Sequence, residues 1–123
     1  MGNTAFDGKF VLLETIKGLR NWIQRNNETG TIPDYMLEPV ANYLLFGILP
    51  HPGDFLEAVI CDMPFSVVVP LADDKNARAL PTWHRLLYNV FPSPAWRSRE
   101  AMLKWYADNG TGGEPLPYLK RYL

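Results

Sequence analysis

A single cysteine, Cys61, in 123 residues leaves no partner for an internal disulfide and too few thiols for a cysteine-rich zinc site, which suits a reducing compartment. Histidine is nearly as scarce, with only His51 and His84, and no His-x-x-x-His spacing sets two ligands on one helical face. No apolar stretch reaches the roughly 18 residues that span a bilayer, and Met1-Gly2-Asn3-Thr4 lacks a basic segment leading into an apolar core. The expectation is a cytoplasmic chain, neither exported nor anchored, without a membrane partner. A phosphate loop is missing too, because Gly110-Thr111-Gly112-Gly113 has neither a preceding strand nor a following Lys-Ser/Thr. What remains is ordinary globular material: 47% hydrophobic and 20% charged residues, which argues against disorder despite 11 prolines and 9 glycines. The length fits one domain and leaves too little chain for a second core.

Charge is scarce only in its net value, −1 at pH 7. From residue 26 to 74 there is no Lys or Arg at all, while Glu28, Asp34, Glu38, Asp54, Glu57, Asp62, Asp73 and Asp74 all fall there. The first 25 residues carry Lys9, Lys17, Arg20 and Arg25 against Asp7 and Glu14, and residues 75–123 are again basic. Either folding pairs these signs across one surface or it keeps them apart as poles that steer a partner. The small net charge disfavours duplex nucleic acid, whose phosphates need a strong excess of bases on one face.

Hydrophobic spacing predicts an all-α, single-domain bundle of five to six short, proline-interrupted helices. Leu12, Ile16, Leu19 and Trp22/Ile23 mark one face of a helix from Phe10 to Asn26. Met36, Val40, Tyr43 and Leu44 mark a second that either bends or begins late at Pro39 and is capped by Gly47. A short helix is expected over Phe55–Ile60. The run Phe65-Ser66-Val67-Val68-Val69-Pro70 is ambiguous, since valines favour a strand but a lone strand has nothing to pair with; a short helix or turn is the reading adopted. Asp73 or Asp74 caps a long helix to Asn89 or Val90, interrupted at Pro81, with Leu80, His84, Leu87 and Tyr88 inward. Ser98 starts a last helix that Gly110 closes. Residues 109–115 read as a flexible linker, and Tyr118, Leu119, Tyr122 and Leu123 beyond it predict a docking tail, in cis or in trans. Residues 1–30 thus form an N-terminal helix extension, 31–110 the core, and 111–123 the linker and docking tail.

Catalytic and metal chemistry find little support. Cys61 sits beside Ile60 on an apolar face, and Asp62 raises rather than lowers a thiol pKa. Asp73-Asp74 is explained as a helix start. No catalytic residue, metal site or cofactor is expected. Four Trp and six Tyr exceed what a small core readily hides, which favours an interface with a partner or a second copy. The candidate binding residues are Lys75, Arg78, Trp83 and Arg85 on the long helix, Trp96 and Arg97 beyond it, and Tyr118 and Tyr122 in the tail.

An ordered set of short pieces runs from Ile32 to Gly110: Ile32-Pro33-Asp34-Tyr35-Met36, Tyr43 with Gly47-Ile48, Pro52-Gly53-Asp54-Phe55-Leu56-Glu57-Ala58-Val59, Ala72-Asp73-Asp74-Lys75-Asn76, Leu86-Leu87-Tyr88-Asn89, Pro92-Ser93, and Trp96 with Ser98 and Trp105. In these pieces the chain resembles a family of short proteins carried by tailed bacteriophages and prophages. His51 stands as an insertion, and Cys61-Asp62-Met63 and Ala95-Trp96-Arg97 stand where Asn-Asp-Leu and Cys-Trp-Gly are usual. The resemblance implies a helical fold and a phage accessory role, without an assigned activity. The expected function is non-enzymatic: counter-defence or host takeover in the host cytoplasm by blocking a host protein, with homo-oligomers compatible. One alternative is an oligomeric sponge for a nucleotide defence signal, with Lys75, Arg78 and Arg85 on phosphate and Trp83 stacked on the base. Another is a small structural virion or assembly protein.

Overall fold

The 3.6-residue repeat of the N-terminal segment winds into α1, Thr4–Asn26, in the computed structural model, which describes residues 4–27 and 30–123. A 3-10 turn over Asp34–Met36 then leads into α2, Leu37–Phe46. Pro39 is the third residue of α2, where its missing N–H costs no intrahelical bond, so the helix begins late instead of bending. Gly47 ends α2 at φ 71°. α3, Phe55–Ile60, is buried along its whole length, and Glu57 reaches back to accept the Gly53 N–H at 2.9 Å.

The valine run is helical: α4 spans Phe65–Leu71. Pro64 starts it, its carbonyl accepting from the Val67 and Val68 N–H groups. With no strand beside it among the described residues, the run gains its backbone bonds locally, and this outweighs the valines' preference for extended structure. The single long helix expected after Asp73 is two: α5, Asp74–Arg78, and α6, Leu80–Asn89. Asp73 Oδ1 caps α5 by accepting the Asn76 N–H at 2.8 Å. Pro81 cannot donate to the Ala77 carbonyl, so the chain breaks at Ala79 and Pro81 becomes the second residue of a new helix. The inward face of α6 also differs from the expected one. Thr82, Trp83, Leu86 and Leu87 point inward, whereas His84 and Tyr88, expected inside, are exposed.

A 3-10 turn at Ser93–Ala95 precedes α7, Arg99–Ala107, whose start is capped by Ser98 Oγ accepting the Ala101 N–H at 3.0 Å. A 3-10 helix over Pro117–Tyr122 completes the all-α fold expected from the sequence. Among the described residues it has seven α-helices, because the break at Ala79 divides one of those expected.

The expected flexible linker at 109–115 is instead fixed to α2. The Thr111 and Gly113 N–H groups donate to the carbonyls of Leu44 and Leu45 at 3.1 and 2.9 Å, satisfying acceptors that the last turn of α2 leaves open. Gly47 and Gly110 cross backbone to backbone, both at positive φ, and a Cβ on Gly110 would sit 2.6 Å from the Gly47 nitrogen. The tail then docks in cis on α1, with Leu119 against Gly18 and the Tyr122 carbonyl accepting from Asn21.

One buried cluster runs from Leu19 in α1 to Leu119 in the tail. Its polar groups are paired: Tyr43 donates its hydroxyl to the Ala95 carbonyl at 2.6 Å, Trp105 Nε1 donates to the Tyr43 carbonyl at 2.9 Å, and Trp83 Nε1 donates to Asn76 Oδ1 at 3.0 Å. The tryptophans are therefore core material: Trp22, Trp83 and Trp96 are buried and Trp105 half-buried, so the aromatic surplus at the surface, among the described residues, consists of tyrosines with Phe10 and Phe65. The charge segments interleave in part, through Arg20 with Asp34 at 2.8 Å and Arg99 with Glu57 at 3.8 Å. The Arg20 hydrogen bond holds the Asp34 carboxyl below its ordinary range.

Candidate functional site

Of the sequence-predicted binding residues, Arg97 belongs to one surface place, Arg85, Tyr118 and Tyr122 belong to another, Lys75 and Arg78 lie in neither, and Trp83 and Trp96 lie inside the protein. Trp83 is 1% exposed, so its indole is unavailable to stack on a ligand. Trp96 is buried likewise. Lys75 and Arg78 are exposed on α5, separated by the break at Ala79 from Arg85 on α6. The three bases expected on one side of a single long helix are thus divided between two helices.

The first place is an apolar and aromatic surface. α4 contains no charged residue and buries only Val68; Phe65, Val67, Val69 and Leu71 are all exposed, Phe65 at 66%. A shallow groove beside the helix is lined by Val59, Met63, Leu80, Leu87 and His84. From His84 the surface continues as a ladder of rings: His84 edge-on to Tyr88 at 5.4 Å, and Tyr88 edge-on to Trp96 at 5.0 Å. The Arg97 guanidinium lies over both Trp96 and Tyr88, at 4.9 and 5.4 Å. Arg97 takes φ 94°, a strained value for a side-chain-bearing residue, and its N–H donates to the Ile60 carbonyl at 2.8 Å. That bond anchors the backbone to α3 while the guanidinium stays at the surface. Of this surface, sequence reasoning found Arg97, with the buried Trp96 beneath it, and missed α4, His84 and Tyr88. The missing signal was the absence of any charge between Asp62 and Asp73 in a run too short to bury itself.

The second place is a polar cleft of about 380 Å³ between α1, α6 and the C-terminal 3-10 helix. Each wall comes from residues one turn apart: Trp22 and Asn26 on α1, Arg85 and Asn89 on α6, Tyr118 and Arg121 on the 3-10 helix, where residues three apart eclipse. Tyr122 closes it, with the Arg25 guanidinium 5.1 Å from its ring centre. Arg85 Nη1 donates to the Asn26 carbonyl at 3.5 Å, which orients it along the wall. Among the described residues lining the cleft there is no carboxylate. Sequence reasoning found Arg85, Tyr118 and Tyr122 and missed Arg121, Asn26 and Asn89, because only the docking of the tail brings these elements together.

Cys61 lies in neither place. It is buried with its thiol 3.8 Å from the Met102 sulfur, and burial, followed by the Glu57 charge, pushes its pKa up against a smaller opposing effect of Arg99. Burial likewise pushes the Tyr43 hydroxyl well above its ordinary value. Among the described residues no three His, Cys, Asp or Glu side chains converge to hold a metal, and no helix is long and apolar enough to cross a membrane. No family model, curated protein or solved structure matches the chain.

Proposed function

We propose that this chain is a non-enzymatic binding protein of the phage accessory kind that its resemblance implies, acting in the host cytoplasm by covering the surface of a host protein. The observation that carries the reading is α4: a charge-free helix with one side chain buried and four apolar ones facing outward. Contiguous exposed apolar surface is costly to keep in water, and it is retained where a partner covers it. The neighbouring tyrosine and arginine of the His84–Tyr88–Arg97 ladder are residue types that carry much of the energy in protein interfaces. The partner's complementary face is apolar and bears bases, since Asp62 and Asp74 flank the helix.

Site-specific photo-crosslinking in host lysate tests this. A photoreactive residue at position 69 should yield a discrete adduct with a host protein, lost on Phe65→Asp, whereas the same probe at exposed position 24 should yield none. Identical adducts from both positions, or none from position 69, would overturn the reading.

A further inference from the structure

The cleft between α1, α6 and the tail shares α6 with the aromatic ladder but is lined by other residues, and its reading does not depend on the one above. We infer that it binds a small phosphorylated ligand with a flat ring, of the nucleoside monophosphate class, within one chain. Three features define that chemistry. Arg85 and Arg121 bring two planar guanidinium forks to one cleft, and such forks match phosphate oxygens in geometry as well as charge. Arg85 makes a long hydrogen bond, 3.5 Å, to the Asn26 carbonyl, which keeps its guanidinium at the cleft wall. Tyr118, about half exposed, and Tyr122 offer aromatic surface to a ring beside the guanidinium forks.

The two asparagines add a reading edge. Asn26 Nδ2 donates to the Trp22 carbonyl and Asn89 Nδ2 to the Arg85 carbonyl, both at 2.8 Å. Each amide nitrogen thereby gives one of its two hydrogens to its own helix, and each asparagine keeps a second donor and an amide oxygen that can accept from a ring amine. The volume, about 380 Å³, lies in the range of small-molecule sites and is too small for a folded partner. Stacking by tyrosine at this cleft replaces the role expected of Trp83, and phosphate recognition by Arg85 and Arg121 replaces that expected of Lys75 and Arg78.

Titration calorimetry of the intact chain at low salt, with AMP, adenosine, inorganic phosphate and a single-stranded hexanucleotide, provides the test. AMP should bind saturably, and adenosine and phosphate each at least about tenfold more weakly. Arg121→Gln should weaken AMP about fivefold or more and abolish the heat with phosphate. Tyr118→Leu should weaken AMP by a similar factor and leave phosphate unchanged. Both side chains are exposed, and an unchanged melting temperature for each variant separates lost binding from lost folding. Absence of saturable AMP binding, wild-type affinity in Arg121→Gln, or binding of the hexanucleotide without AMP would overturn the inference.

Discussion

α2 and α4 are both apolar helices containing a proline, yet α2 buries six of its ten side chains and α4 one of its seven. Composition does not separate them. The difference lies in what meets each helix. α2 is packed against α1, bonded by Trp105 of α7 through its Tyr43 carbonyl, and bonded by Thr111 and Gly113 at its C-terminal carbonyls. α4 meets chiefly its neighbour α3 and lies at the periphery. An apolar run therefore reports that something covers it, and only the packing distinguishes the protein's own core from a surface open to a partner.

The sharpest way to probe this contrast is at the crossing that fixes the end of α2. Gly110→Ala forces a Cβ to within 2.6–2.8 Å of the backbone of Gly47, Leu44 and Leu45, at positive φ. It should cost several kcal/mol, on the order of 3 or more, in urea unfolding. Gly53→Ala has positive φ but open space, and should cost only about 1–2 kcal/mol. Equal losses in the two variants would show that close packing adds nothing at the crossing.

Next in size is Tyr43→Phe, which leaves the buried Ala95 carbonyl without its donor; a loss of about 1–3 kcal/mol is expected by the same measurement. A neutral result would mean that the carbonyl finds another donor and that α2 is less constrained than its bonding indicates. Ser98→Ala removes the cap of α7 and should cost about 1 kcal/mol. The smallest effect belongs to α4. The double variant Val67→Ser, Val69→Ser should stay within about 0.5 kcal/mol per site of the parent. A loss exceeding about 2 kcal/mol would make α4 part of the core and erase the distinction between the two helices.

Local signals were legible in the chain itself. The positive-φ glycine ending α2 and the Asp73 and Ser98 caps each depend on a few adjacent residues, and each is where spacing places it, whereas Pro39 left a bend and a late start open and the structure has the late start. The face of α6 was misread within a single helix: Trp83, Leu86, Leu87 and Val90, at i, i+3, i+4 and i+7, form the stripe that packs inward, which leaves His84 and Tyr88 outside. The segment 109–115 looks flexible from its glycines, since sequence carries no sign that open carbonyls at the end of α2 wait for its N–H groups.

The same division separates fold from site. Composition, the helical repeat and proline and cap positions determined an all-α chain, because those preferences act within a few residues along the backbone. Tertiary packing alone decided that the tryptophans lie inside, that the tail returns to α1 in cis, and that Arg85 and Arg121, 36 positions apart, line one cleft. The physical reason is that burial and convergence are properties of several surfaces meeting, and no periodicity within a single segment encodes which surface arrives to cover it.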